Sequence, residues 1–281
     1  MKACLIIILV FFFFSTSGHT QSLEKELQNA YEQNSQELYG KFLEKWSEKS
    51  KPLKDRESLT QTERDVYEIF EDFYTPFDVG RLSRWFAIEK SADMDDPSPE
   101  SGYIVVQNTI EVVCLGKEKF VLPGMPTVDA DGFMSPGSDP DPDEDIPEVI
   151  LSESQVLDFS PDLKFKTCKV LYATSEYEEA IFRFLGDDRM DAEGEPPMHV
   201  NLLDDVFERL KFLKEELSVE VIDGFYGWRI FKIPRVSSIS FNRDRTMAEV
   251  NYWLGSRGGG ALYEKKDGKW VFVDAALFSI T

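Results

Sequence analysis

Histidine and cysteine are nearly missing from this sequence: 281 residues hold two His and three Cys. One of each, His19 and Cys4, falls within the first 20 residues. Those 20 residues have the layout of a secretory signal, with Lys2, an apolar run from Ala3 to Phe14, and the small and polar stretch Ser15 to Thr20. A chain processed there keeps His199 as its one imidazole, which excludes catalysis built on several histidines. Long hydrophobic runs are equally scarce. The run from Ala3 to Phe14 is 12 residues, and a membrane-spanning helix needs roughly 20. Basic charge is in deficit as well, with 31 Lys and Arg against 52 Asp and Glu and a net charge of −21. Loss of residues 1–20 removes Lys2 and no acid, leaving 30 against 52 and a net charge of −22. Such a surface repels nucleic acid and anionic lipid. The expectation is an exported protein, periplasmic or secreted, with no transmembrane segment once the signal is removed. A lipoprotein anchor does not fit, because Cys4 precedes the apolar run.

What is present is aromatic and apolar: 13% Phe, Trp and Tyr and 42% hydrophobic residues. That composition belongs to globular chains with a packed core. The apolar residues Leu23, Leu27, Ala30, Tyr31, Leu38, Phe42 and Trp46 recur at helical steps and predict one helix from Leu23 to Trp46. Thr60 with Glu63 three residues on is a capping-box pattern. It opens a second helix with Val66, Tyr67, Phe70, Phe73, Tyr74 and Phe77 on its apolar face, limited by Pro76. The two helices read as an antiparallel hairpin. Tyr103 to Val106 and Ile110 to Leu115 read as strands. Between Pro123 and Pro147 periodicity gives way to Pro, Gly, Ser and Asp, the composition of an acidic loop or linker.

Order resumes with a strand through Phe165 to Tyr172 and a helix opened by Ser175 and closed by Gly186. A helix from Leu202 to Leu217 follows, with Leu203, Val206, Phe207, Leu210, Leu213 and Leu217 on one side. Then come strands at Val219 to Ile222, Tyr226 to Ile233, Val236 to Phe241, Met247 to Leu254, Gly260 to Lys265 and Lys269 to Val273. Asp223-Gly224 and Asp267-Gly268 supply hairpin turns. The fold class is α+β: an N-terminal helical hairpin followed by an antiparallel β-meander packed on a helix. The domain reading is a signal over 1–20, the hairpin with short strands over 21–122, the acidic segment over 123–147 and the α+β meander over 148–281.

Several blocks carry a resemblance: Asn34-Ser35 with Leu38 to Trp46, Val66 to Leu82 with Tyr74-Thr75-Pro76-Phe77, Leu171 to Gly186, Gly224 to Phe241, and Gly258 to Trp270. Together they resemble uncharacterised secreted proteins of Bacteroidota over most of the mature chain, and that resemblance implies no activity, ligand or catalytic residue. The helix feeding a meander also resembles the cone-shaped fold of the nuclear transport factor and ketosteroid isomerase group. This implies a cone-like curved sheet, but the group holds enzymes and inert modules alike, so it leaves function open.

No motif commits the chain to chemistry, so no catalytic residue, metal ligand or cofactor is assigned. His199 has no Gly-x-Ser-x-Gly elbow to serve. Among 52 acids almost any carboxylate spacing arises by chance, which weakens a glycosidase reading built on paired acids. Asp139, Asp141, Asp143, Glu144 and Asp145 imitate the start of a calcium loop. Glu144 stands where its sixth-position Gly belongs, and Ile150 where its Glu belongs. The glycines from Gly255 to Gly260 lack the Gly-Lys-Ser/Thr of a phosphate loop and read as a hairpin turn. The even count of Cys114 and Cys168 permits one disulfide in an oxidising compartment, but the favoured reading is two thiols, with Cys114 within the apolar run Val112 to Leu115.

The constellation that suits a ligand lies on the meander. Tyr226 and Trp228 share one face of a strand and Arg229 the other, while Glu249, Asn251 and Trp253 share a face of a neighbouring strand. Aromatic, acid and amide groups in register suit flat polar ligands, sugars among them. The functional expectation is an exported, non-enzymatic binding or interaction protein with a glycan or protein partner. Its rivals are a glycan hydrolase using two carboxylates and a structural, envelope-associated module.

Overall fold

The computed structural model describes residues 22–74, 102–115, 127–128, 134–135, 151–165, 168–186, 204–217, 219–221, 228–230, 234–254 and 257–280. The signal segment, the acidic run 139–145, His199 and Tyr226 lie outside them. The chain divides into two units that interleave along the sequence. One takes Met1–Lys51, Pro99–Gln107 and Phe165–Lys232, the other Pro52–Ser98, Asn108–Lys164 and Ile233–Thr281. The architecture is α+β, with helices and a mixed sheet, and the described strands close no barrel.

In the first unit the predicted helix from Leu23 to Trp46 is two helices, α1 (22–32) and α2 (Gln36–Lys49). The break has a local cause. Asn34 takes φ 45°, a left-handed conformation that ends a helix. Ser35 then caps the next one, its side chain accepting from the Leu38 N–H at 3.3 Å. A capping residue inside an apolar period restarts the helix and reverses the chain. The N-terminal hairpin is therefore α1 with α2, tied by the Lys45–Glu26 ion pair at 2.7 Å. β1 (Tyr103–Val106) runs parallel to the later strand β6 (Lys169–Tyr172). After β6 come α4 (Ser175–Phe184), which ends at Gly186 with φ 79°, and α5 (Asp204–Lys214). The aromatics fill this unit's core. Trp46 stacks on Tyr177 at 4.8 Å and donates its indole N–H to the Tyr172 carbonyl at 2.8 Å. Of the predicted apolar face of α5, Val206, Leu210, Leu213 and Leu217 are buried, whereas Phe207 is 49% exposed and Phe212 takes an inward place. Leu203 lies outside the described residues.

Among its described residues the second unit sets one helix on a six-stranded sheet. Helix α3 (Gln61–Phe73) has the predicted capping box: Thr60 Oγ1 accepts from the Glu63 N–H and Glu63 Oε2 accepts from the Thr60 N–H. The sheet joins β2 (Thr109–Leu115), β5 (Leu151–Asp158), β9 (Arg235–Phe241), β10 (Met247–Leu254), β11 (Arg257–Lys266) and β12 (Lys269–Ile280) in the order β12-β11-β10-β9-β2-β5. The last four strands form the antiparallel meander. Short ladders β3 (Thr127–Val128) with β4 (Met134–Ser135) and β7 (Val219–Val221) with β8 (Trp228–Ile230) form sheets of their own.

Three features of the sheet correct the expectation. β7 and β8 pair with each other rather than opening the meander, and β2 runs parallel to β9 in the place expected for them. Order in sequence favours neighbouring strands in a sheet without requiring them. β5, a strand that sequence reading passes over, closes the far edge against β2. Gly258, Gly259 and Gly260 are strand residues of β11, not a turn. A Cβ on Gly259 would meet the Tyr252 ring at 2.6 Å and the Ala276 carbonyl at 2.8 Å, so the glycine is what lets Tyr252 lie on the strand. The Asp267-Gly268 turn is as expected, with φ values of 51° and 80° that suit a tight hairpin between β11 and β12. Ladder irregularities between Asn251 and Tyr252, between Gly258 and Gly259, and between Leu262 and Tyr263 mark bulges that bend the strands.

The core of this unit lies between α3 and one sheet face. Val66, Ile69, Phe70 and Phe73 are sealed from solvent, as are Ile239, Phe241, Val250, Tyr252 and Tyr263. Phe73 meets Tyr252 at 5.1 Å, and Phe70 meets Phe159 edge-on at 4.7 Å. Cys114 and Cys168 are half-buried thiols with no disulfide between them.

Candidate functional site

Strand alternation sorts β10 into two faces. Ala248, Val250 and Tyr252 are buried on the side of α3, and Glu249, Asn251 and Trp253 stand half-buried on the other. Across the ladders Glu249 opposes Ser240 and Leu262, Asn251 opposes Ser238 and Gly260, and Trp253 opposes Arg235 and Gly258. Two of these neighbours have no side chain, so on the β11 side nothing from a directly opposed residue competes for the space beside Asn251 and Trp253. Asn251 Nδ2 donates to Ser238 Oγ at 3.2 Å, which fixes the amide. The bulge at Asn251 and Tyr252 is held by Ser237, whose hydroxyl donates to the Asn251 carbonyl at 3.0 Å. Bulges re-aim the side chains that follow them, here Trp253.

The six residues singled out by sequence do not share one sheet. Glu249, Asn251 and Trp253 are together on β10, in register as expected. Trp228 and Arg229 belong to β8, where they oppose Val221 and Glu220 in a separate hairpin. The expected adjacency of their strand to β10 is corrected for the reason given above. Tyr226 lies outside the described residues.

Two further arrangements escape a reading by periodicity. The first is a polar seam along α3. Gln61, Asp65, Glu68 and Asp72 fall at steps of four, three and four, one stripe of a helix. The stripe faces β11 and β12. Asp65 is 2% exposed, and its Oδ1 accepts from Lys265 Nζ at 2.8 Å and from Gln61 Nε2 at 2.9 Å. Lys265 Nζ also lies 5.1 Å from the centre of the Trp270 ring. Glu68 accepts from the Trp270 N–H and Asp72 from the Tyr263 hydroxyl, both at 2.9 Å. Asp65 Oδ2 and Trp270 Nε1 are buried with no hydrogen-bond partner among the described residues. The seam clamps helix to sheet through charge-assisted bonds. Sequence shows the stripe but not its orientation, since acids at helical spacing usually face water.

The second is a cleft of about 510 Å³ lined by Pro52, Leu53, Lys54, Arg56, Glu71, Asp162 and Lys164. Arg56 packs over the Tyr67 ring at 4.7 Å and grips Glu71 through both terminal nitrogens. That hydrogen-bonded carboxylate holds the guanidinium above its ordinary range. Burial raises the Tyr67 phenol, and the Ser160 N–H it accepts at 3.0 Å works the other way. No sequence signal marks the cleft, because its walls come from three separated segments.

Among the described residues no three His, Cys, Asp or Glu gather as a metal would require, and no helix is long and apolar enough to cross a membrane. No family model, no curated protein and no solved structure matches this chain.

Proposed function

We propose that the chain is an exported, non-enzymatic binding protein whose ligand is a flat polar molecule of the carbohydrate class. The proposal includes kinship with the secreted Bacteroidota proteins it resembles. The observation that carries it is the β10 face turned away from α3. There an indole, an amide and a carboxylate stand half-buried on one face: Trp253 between Arg235 and Gly258, Asn251 between Gly260 and the Ser238 it donates to, and Glu249 between Ser240 and Leu262. An indole offers its face to the C–H side of a sugar ring, while Asn251 and Glu249 offer directional partners for hydroxyls. Rigid strands suit such recognition better than loops, because register fixes the spacing of the three groups.

A glycan array probed with the chain lacking residues 1–20, followed by a reducing-sugar assay on every glycan retained, tests the reading. Retention without release supports a binding protein. Release of reducing ends would replace it with the hydrolase. Retention of no glycan would retire the carbohydrate class, and co-purification of one envelope protein with the chain would then favour a structural module.

A further inference from the structure

We infer that the cleft of the second unit is a second binding site, separate from the β10 face, and that it takes a small organic acid with one carboxylate on a body that has an apolar side. Its walls are preorganised. The segment 52–56, helix α3 and the segment 160–164 are stitched together by five hydrogen bonds: Leu53 N–H to the Ser160 carbonyl at 2.9 Å, Ser160 N–H to the Tyr67 hydroxyl at 3.0 Å, Asp162 N–H to Glu71 Oε1 at 2.6 Å, and the two of the Arg56–Glu71 fork. The fork spends the Arg56 charge inside the wall, so Arg56 positions the cleft and does not read the ligand.

The free chemistry is then simple. Lys54 lines the cleft without an ion-pair partner among the described residues. Lys164 is held only loosely by Asp162 at 3.4 Å, with 83% of its side chain exposed. Pairing Arg56 with Glu71 and Lys164 with Asp162 leaves one uncompensated positive charge in a protein of net charge −21. A monoanion meets that balance, whereas a more highly charged anion meets repulsion from the whole surface. Pro52 and Leu53, the latter 37% exposed, give the apolar wall. The volume lies within the range that ordinary small-ligand sites span. A hexuronic acid has the required parts, a single carboxylate for Lys54 and Lys164 and a C–H face for Pro52 and Leu53.

The test is isothermal titration of the chain lacking residues 1–20 with D-glucuronate, D-glucose and glucose 6-phosphate. Glucuronate is expected to bind saturably at one site, at least tenfold more tightly than either glucose or the phosphate, and more weakly as salt rises. Lys54→Gln with Lys164→Gln should weaken it at least tenfold with an unchanged melting temperature, while Trp253→Ala should leave it as it was. Equal affinity for glucose and glucuronate, a preference for the phosphate, no binding of glucuronate, or indifference to the lysine pair would each overturn the assignment. Loss of glucuronate binding in Trp253→Ala would merge the two sites into one.

Discussion

Glu63 is half-exposed, and its carboxyl sits below the ordinary range chiefly because it bonds to Thr60 at the start of α3. A depressed carboxyl stabilises the fold in full above its unfolded-state pKa, and that contribution fades as pH falls through the lower folded value. Thr60→Ala should cost about 1 kcal/mol in urea denaturation at neutral pH. It should also move the Glu63 side-chain titration, read by NMR, upward toward an ordinary glutamate. An unmoved titration would detach the shift from the cap. The Asp65–Lys265 pair behaves differently, because one partner is buried. Lys265→Met strands the Asp65 carboxylate and should cost about 3 kcal/mol. Adding Asp65→Leu should restore most of that, since the desolvated charge goes with it. A double variant no more stable than Lys265→Met would show that the seam holds the helix by hydrogen bonding rather than by charge balance.

At the scale of elements, β11 is the tightest constraint. Gly259→Ala drives a methyl group into the Tyr252 ring and the Ala276 carbonyl, and about 1–3 kcal/mol of destabilisation follows. Chemical denaturation measures it, and Tyr252→Ala in the same chain should make the glycine substitution cheaper. Much of this element map was legible in the sequence where local rules act alone: the Thr60 box, the Asp267-Gly268 turn, the helix ending at Gly186, and the alternation that puts Glu249, Asn251 and Trp253 on one face. What escaped was set by partners distant in sequence. Apolar period carried straight across Asn34-Ser35, where a left-handed residue and a cap divide one helix into two. Strands β7 and β8 looked like the first strands of the meander because they precede it, but the slot beside β9 went to β2, more than a hundred residues earlier. The cleft and the Asp65 seam were invisible for the same reason. Each is assembled from segments whose proximity only the fold creates.

For the whole molecule, the interleaving of two units means that neither is a continuous stretch of chain. The acidic balance of the chain, 31 Lys and Arg against 52 Asp and Glu, disfavours nucleic acid and anionic lipid as partners. Processing of residues 1–20 predicts an intact mass beginning near residues 19–21 for protein recovered from the native envelope, and a mass that retains Met1 would contradict export. The central claim is that one face of β10 binds a carbohydrate while the α3 side is core, and a paired titration tests it most directly. A glycan retained on the array is titrated into the wild-type chain, Trp253→Ala and Phe70→Ala. Trp253→Ala should weaken binding at least tenfold, about 1.4 kcal/mol, at an unchanged melting temperature. Phe70 is sealed between Tyr74 and Phe159, so Phe70→Ala should lose about 3–5 kcal/mol of stability and keep its affinity while folded. Affinity untouched by Trp253→Ala, or abolished in folded Phe70→Ala, would contradict the account.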